Sequence, residues 1–168
     1  MPEPTATPTA IPAPTATSDR RFTITRVFDA PRELVWRCWT DPDEAPAWLH
    51  PRGVVTPREH VDFDVRPGGR YRYTMVAGDG TEYPTTGTYR EVSPPDRLVF
   101  TWGSPGDPDA TMPLITIELA EHGTDAQQTR MTFQLEGFAG APGDGYVYDG
   151  WSEAFDLLDE RLDRADVR

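Results

Sequence analysis

The stretch from Trp151 to Leu162 carries apolar side chains at the spacing of one face of an α-helix. The positions follow i, i+3, i+4, i+7 and i+11, and they are Trp151, Ala154, Phe155, Leu158 and Leu162. The opposite face is acidic, and two arginines follow near its end, where cations interact favourably with the helix dipole. Because a helix with one polar side must bury the other, the pattern predicts a long C-terminal helix packed against an apolar surface.

Most of the preceding chain alternates apolar and polar residues, which is typical of β-strands with one buried face. The alternation predicts strands near residues 22–28, 61–65, 71–75, 83–92, 98–102, 115–119 and 131–135. Turn sequences rich in glycine and proline separate several of them. We therefore predict an α+β fold in which a curved antiparallel sheet of about seven strands wraps around the C-terminal helix.

Two short helices are predicted after the first strand. Pro31 suits the first position of a helix, where its missing N–H does no harm, and the buried stripe of that helix is Leu34, Val35, Cys38 and Trp39. Asp41-Pro42 ends it, and a second helix follows over about 42–49. A glycine-rich segment, 137–145, leads into the final helix, which begins somewhere between residues 144 and 150.

The chain divides into a short tail and one domain. Residues 1–18 are mostly Pro, Thr and Ala and hold too little apolar area to offset ordering, so we predict a disordered tail. Neither the basic nor the apolar region of a secretory signal is present there. Residues 19–168 are predicted to form a single domain.

Charge and composition exclude several classes of function. The formal net charge is −12 and all 16 basic residues are arginines, so neither a basic patch for nucleic acid or anionic membranes nor a Schiff-base lysine is available. No run of 18 apolar residues exists, and Cys38, the single cysteine, allows no intrachain disulfide. These features predict a cytoplasmic protein that contacts neither nucleic acid nor membrane.

Several short motifs resemble those of one family in their order and spacing. The matching stretches are Asp29-Ala30-Pro31-Arg32-Glu33-Leu34-Val35-Trp36, Trp39-Thr40-Asp41-Pro42, Trp48, Asp64-Val65-Arg66-Pro67-Gly68-Gly69-Arg70-Tyr71, Gly87-Thr88-Tyr89-Arg90-Glu91-Val92, Pro95-Asp96-Arg97-Leu98-Val99-Phe100-Thr101-Trp102, Thr129-Arg130-Met131-Thr132-Phe133 and Gly150-Trp151. Over about residues 20–165 the chain resembles the bacterial branch of the family related to the activator of Hsp90 ATPase (AHSA1-like), within the START-like (SRPBCC) superfamily. The resemblance implies a helix-grip fold with a cavity between sheet and helix. This fold hosts lipid and hormone binders, cyclases and co-chaperones, so it does not fix the activity.

Candidate catalytic residues are few. The three histidines are scattered without metal-binding spacing, and no motif predicts a metal or a cofactor. Asp62, Asp64 and His60 are the only candidates for general acid–base work, and they matter only if they face the cavity. The apolar neighbours Val61 and Phe63 claim the inner face of that strand, which favours solvated carboxylates.

Aromatic residues are the richer signal. They can form an ordinary core, but tyrosine hydroxyls need partners when buried, and aromatic walls with a few polar groups are typical of small-molecule sites. The predicted ligand-binding residues are Trp36, Trp39, Trp48, Tyr71, Tyr73, Tyr89, Trp102, Phe133, Trp151 and Phe155.

Three functional hypotheses follow. The first is non-catalytic binding of a small apolar or aromatic molecule in the cavity. The second is a cavity enzyme of the cyclase, dehydratase or hydrolase type. The third is a partner of an Hsp90-type chaperone, which the family name and the acidic charge suggest. Whether the protein forms a homodimer stays open.

Overall fold

Eight strands and three helices follow one another along residues 20–167, the part of the chain that the computed structural model describes, with side chains described to residue 163. The tail predicted for residues 1–18 lies outside these residues. Two single 3-10 turns, Arg58–His60 and Asp109–Thr111, interrupt the connections. The strands and helices are β1 (Arg21–Phe28), α1 (Arg32–Thr40), α2 (Ala45–Trp48), β2 (Val54–Val55), β3 (Asp62–Phe63), β4 (Arg70–Ala77), β5 (Glu82–Ser93), β6 (Arg97–Thr101), β7 (Leu114–His122), β8 (Gln128–Glu136) and α3 (Val147–Val167).

The strands form one antiparallel sheet in the order β1-β8-β7-β6-β5-β4-β2, and β3 also pairs with β4. The predicted sheet with a long C-terminal helix is therefore confirmed. Eight strands replace the predicted seven because β2 has two residues and cannot show an alternating pattern. The strand predicted over 61–65 is shorter as well, since only Asp62 and Phe63 pair with β4.

One face of the sheet is apolar across most of its width. Ile24 lies opposite Phe133, Phe133 opposite Ile117, and Ile117 opposite Leu98, so four neighbouring strands place a buried side chain in the same row. Cross-strand apolar pairs of this kind are the unit of sheet stabilisation, and each fully buried side chain contributes about 1.5–3 kcal/mol. This face is the floor on which α3 lies.

Helix α3 buries the stripe that its sequence predicts. Trp151, Ala154, Phe155, Leu158 and Leu162 are each at most 7% exposed. The helix begins at Val147, within the predicted interval. Its apolar face therefore packs against the sheet while its carboxylates remain on the outer side.

Ion pairs fix α3 at both of its long edges. On one side Arg26 of β1 bonds the Ser152 carbonyl and lies 3.0 Å from Asp156. On the other side, the Arg161 guanidinium donates two hydrogen bonds of 2.8 and 3.0 Å to the Glu44 carboxylate, and both side chains are less than 15% exposed. The helix is held to the first strand and to the segment before α2 at the same time.

Candidate ligand-binding cavity

A cavity of about 170 Å³ lies between the sheet and the first half of α3. Its walls come from four parts of the chain: the segment after α2, strand β4, the end of β6 and the start of α3. We call it the main cavity, and its lining residues are Leu49, His50, Pro51, Tyr73, Met75, Trp102, Tyr146, Val147, Gly150, Trp151 and Ala154. The walls are therefore mainly aliphatic and aromatic.

The main cavity exists because α3 presents small residues where its neighbours are large. Gly150 and Ala154 lie one turn apart on the helix, beside the bulky Trp151 and Phe155. A Cβ atom added at Gly150 would have no neighbour within 4 Å. The helix thus approaches the sheet closely elsewhere and leaves space at this point.

The cavity opens to the surface beside Tyr146, whose side chain is 69% exposed. His50 and Pro51 of the lining belong to a loop that Arg52 connects to α3. The Arg52 backbone N–H donates to Glu153 at 3.0 Å, and its guanidinium donates to Glu160 at 2.7 Å. These contacts join the loop to the helix next to the main cavity.

Two polar side chains, Tyr73 and Trp102, contact each other in the wall. The Trp102 indole N–H donates to the Tyr73 hydroxyl at 3.3 Å. Burial raises the pKa of Tyr73 to about 12, although hydrogen bonds with Trp102 and Thr85 act to lower it. The hydroxyl is therefore neutral at physiological pH.

His50 is the one ionisable base in the lining of the main cavity, as far as the described residues go. Its Nδ1 lies 2.9 Å from the Pro51 carbonyl oxygen and its Nε2 lies 3.2 Å from the Pro46 carbonyl oxygen. A carbonyl oxygen can only accept a hydrogen bond, so neither ring nitrogen is placed to take a proton from a ligand.

A second, smaller space lies deeper in the core and holds about 20 Å³, roughly enough for one water molecule. We call it the inner void. It shares Leu49, Tyr73 and Trp151 with the main cavity, so the two spaces adjoin. The remaining lining residues are Trp39, Phe63, Tyr71, Tyr89, Leu98 and Phe100.

The structure brings six of the ten predicted ligand-binding residues to these two spaces. Tyr73, Trp102 and Trp151 line the main cavity. Trp39, Tyr71 and Tyr89 line the inner void.

The other four predicted residues line neither space. Trp48, Phe133 and Phe155 are at most 1% exposed and belong to the packed core. Trp36 is half-buried on α1 and packs against the edge of that core.

Sequence reasoning missed eight lining residues of the main cavity: Leu49, His50, Pro51, Met75, Tyr146, Val147, Gly150 and Ala154. It also missed three residues of the inner void, Phe63, Leu98 and Phe100. The sequence did carry a signal for Gly150 and Ala154, because small residues on the buried face of a long helix leave space next to that face. The loop residues carry no such signal, since their approach to α3 depends on contacts between distant segments.

The predicted acid–base candidates lie outside both spaces. The Asp62 side chain is 71% exposed and lies 3.8 Å from Arg72, and that of Asp64 is 54% exposed and pairs with Arg66 at 3.0 Å. His60 is half-buried in the 3-10 turn before β3. Among the described residues, no three His, Cys, Asp or Glu side chains form a cluster that could hold a metal ion.

An antiparallel sheet gripping a long C-terminal helix, with a cavity between the two, defines a helix-grip protein of the START-like class. The matching family model covers residues 29–163, and the chain belongs to that family, described as Activator of Hsp90 ATPase homolog 1-like protein. Family and fold indicate a ligand-binding or chaperone-related domain. No helix within residues 20–167 has both the length and the apolar character needed to cross a membrane.

Several solved bacterial structures are similar over nearly their whole length. Protein NE0264 from Nitrosomonas europaea matches with a TM-score of 0.72 at 24% identity, covering 90% of this chain and 99% of that one. Protein CV1439 from Chromobacterium violaceum matches with a TM-score of 0.71 at 28% identity, covering 84% of this chain and 96% of that one. The AHSA1 protein from Silicibacter pomeroyi matches with a TM-score of 0.69 at 22% identity, covering 86% of this chain and 99% of that one. No curated protein matches the sequence.

Proposed function

We propose that this protein binds a small apolar or aromatic molecule, without catalysis, in the main cavity between the sheet and α3. The observation that carries the proposal is the cavity itself, about 170 Å³ of space with apolar walls beside a glycine of the closing helix. Engineered apolar cavities of about 150 Å³ admit benzene, so a ligand of one or two rings fits this size.

Binding of such a ligand would draw mainly on burial of apolar surface, worth about 25 cal/mol per Å², less the loss of ligand freedom. An enzyme in the same cavity would need an acid or a base in the lining. The described lining holds no carboxyl group, and its one imidazole, that of His50, has both ring nitrogens facing carbonyl oxygens. Tyrosine hydroxyls are the other candidates in the lining, and burial raises the pKa of Tyr73 to about 12. The arrangement favours binding over catalysis.

The test is a thermal-shift and calorimetry screen of the purified protein with small aromatic and alicyclic compounds. A ligand at 100 times its Kd raises the free energy of unfolding by about 2.7 kcal/mol. For a domain of this size that amounts to roughly 5–10 °C in Tm.

The variant Gly150→Leu places a side chain into the main cavity and should abolish these shifts. It should fold, because a Cβ there meets nothing within 4 Å and because leucine is the better helix former. The matched control is Gly78→Leu, which adds the same side chain at a turn glycine that also has open space around it. Shifts that persist in Gly150→Leu, or a flat screen of the wild-type protein, would overturn the proposal.

A second candidate function comes from the family, whose description names activation of the Hsp90 ATPase. The net charge of −12 for the whole chain favours a basic partner. We expect any such activity to appear as a change in the ATP turnover of a purified bacterial Hsp90 on addition of this protein. The Gly150→Leu variant should leave that change intact, which separates chaperone contact from ligand binding.

A further inference from the structure

Trp39 holds a buried hydrogen-bond donor that the described residues leave without an acceptor. Its side chain is 6% exposed, and its Nε1 atom is buried and has no hydrogen-bond partner. An indole N–H normally finds a partner when it is buried, because an unmatched donor loses its bond to water on folding. Such an exception calls for a partner that the polypeptide does not supply.

Four aromatic rings pack around Trp39. Its ring meets Trp48 edge-on at 4.7 Å between centroids and lies 6.1 Å from each of Phe100, Trp151 and Phe155. None of these rings offers an oxygen acceptor. Trp39 also lines the inner void, so an acceptor placed in that space would lie beside its side chain.

The inner void lies next to the main cavity, since Leu49, Tyr73 and Trp151 line both. These three side chains therefore bound both spaces. An atom or group that projects between them would enter the inner void.

We propose that the indole N–H of Trp39 donates a hydrogen bond to a neutral carbonyl oxygen of the ligand, whose apolar ring system occupies the main cavity. This inference rests on the proposed ligand-binding function and adds the class of ligand: a small cyclic ketone, quinone or lactone. A carbonyl accepts the bond without bringing a donor of its own that would need a further partner.

A carboxylate is the wrong ligand group for this position. Neither space has an arginine among its described lining residues, and an unpaired buried charge is strongly unfavourable. The same apolar environment affects the tyrosines that line the inner void. Burial raises the pKa of the hydroxyl groups of Tyr71, Tyr73 and Tyr89. The surroundings of the inner void thus oppose negative charge.

The experiment compares two probes that differ only in the carbonyl, indane and 1-indanone, by calorimetry on wild-type protein and on Trp39→Phe. The substitution removes the N–H and keeps an aromatic ring. We expect Trp39→Phe to weaken 1-indanone roughly fivefold more than it weakens indane, the value of one neutral hydrogen bond.

Trp48→Phe is the matched control. Trp48 is also buried and lines neither space, and its indole N–H donates to the Cys38 carbonyl at 3.0 Å. Its loss should change the affinity for both probes by the same factor. An equal effect of Trp39→Phe on both probes would overturn the inference while leaving ligand binding in place.

A second measurement uses the wild-type protein alone and so does not depend on the folding of a variant. The indole N–H resonances of the wild-type protein can be assigned from their contacts with neighbouring aromatic protons and followed by ¹⁵N NMR. The Trp39 resonance should move downfield with 1-indanone and stay nearly fixed with indane. An unmoved Trp39 resonance in the presence of bound 1-indanone would mean that water already occupies the inner void and would refute the inference. If neither probe binds, the main cavity does not accept this class of ligand and the inference is overturned, whereas the proposed function is overturned only if the wider screen is flat as well.

Discussion

At the scale of single residues, Cys38 shows how burial sets the chemistry of a side chain. The thiol is 1% exposed on the inner face of α1. Burial raises its pKa to about 12, and the negative charge of Glu44 adds to this, while Arg161 and Arg37 act to lower it. The thiolate is the reactive form, so a single cysteine is here a core residue and not a nucleophile.

We predict that Cys38 in the folded protein reacts with a disulfide reagent such as DTNB at least ~100-fold more slowly than in the unfolded chain at pH 8, because burial withholds both access and the thiolate. The measurement is the release of thionitrobenzoate with and without guanidinium chloride. Full labelling of the native protein within the time that the denatured chain requires would contradict this account.

At the scale of elements, the start of α3 depends on Asp144. Its carboxylate accepts backbone N–H groups of Tyr146 at 2.8 Å, Asp149 at 3.2 Å and Tyr148 at 3.3 Å, and these are the donors that a helix start leaves unpaired. Loss of hydration acts to raise the pKa of Asp144, but these bonds together hold it below its ordinary value. The cap also fixes the backbone of Tyr146, which lines the main cavity.

A lowered pKa in the folded state means that the Asp144 carboxylate stabilises the fold at pH values above its ordinary pKa of 3.8. This contribution is lost as the pH falls through the lower, folded-state pKa. We therefore expect Asp144→Ala to lower Tm at pH 7 and the difference from wild type to shrink below about pH 4. Asp125→Ala, at an exposed turn position, is the control. A difference in Tm that does not change between pH 7 and pH 3 would show that the cap does not work through its charge.

The contact between α3 and the segment before α2 rests on Arg161 and Glu44, whose side chains are 14% and 12% exposed. We predict that Glu44→Gln lowers the free energy of unfolding by about 1–3 kcal/mol, since it leaves a largely buried guanidinium without its charged partner. Urea denaturation measures this.

The exposed pair of Asp43 and Arg58 provides the comparison, with side-chain exposures of 75% and 50%. Asp43→Asn should change stability by less than about 1 kcal/mol, because water already screens that pair. Equal effects of the two substitutions would show that burial does not set the strength of the α3 contact.

At the scale of the whole molecule, one sheet, one long helix and one core account for residues 20–163. The prediction that residues 1–18 form a tail outside this domain is open to a direct test. We expect a chain that begins at residue 19 to unfold at the Tm of the full chain within about 1 °C, because Phe22 and Ile24 of β1 are already buried by partners within the domain. A clear fall in Tm would assign those residues a part in the fold.

The sequence by itself determined most of the elements and their inner faces, although it missed the two-residue strand β2. Spacing of 3.6 residues placed Trp151, Phe155 and Leu158 on the buried side of α3, and alternation did the same for Ile117 and Phe133 in the sheet. These are local properties, since a residue's face depends only on its neighbours along the chain. The family resemblance agreed with them and added the expectation of a cavity.

The tertiary structure alone decided where that cavity lies and which side chains reach it. Phe133 and Phe155 fill the core, whereas Gly150 and Ala154 leave space, because a void depends on the summed volume of side chains from segments distant in sequence. The absence of a hydrogen-bond partner for the Trp39 indole N–H among the described residues could not be predicted from the sequence either. Whether a buried donor finds an acceptor is settled only when all of its neighbours have been placed.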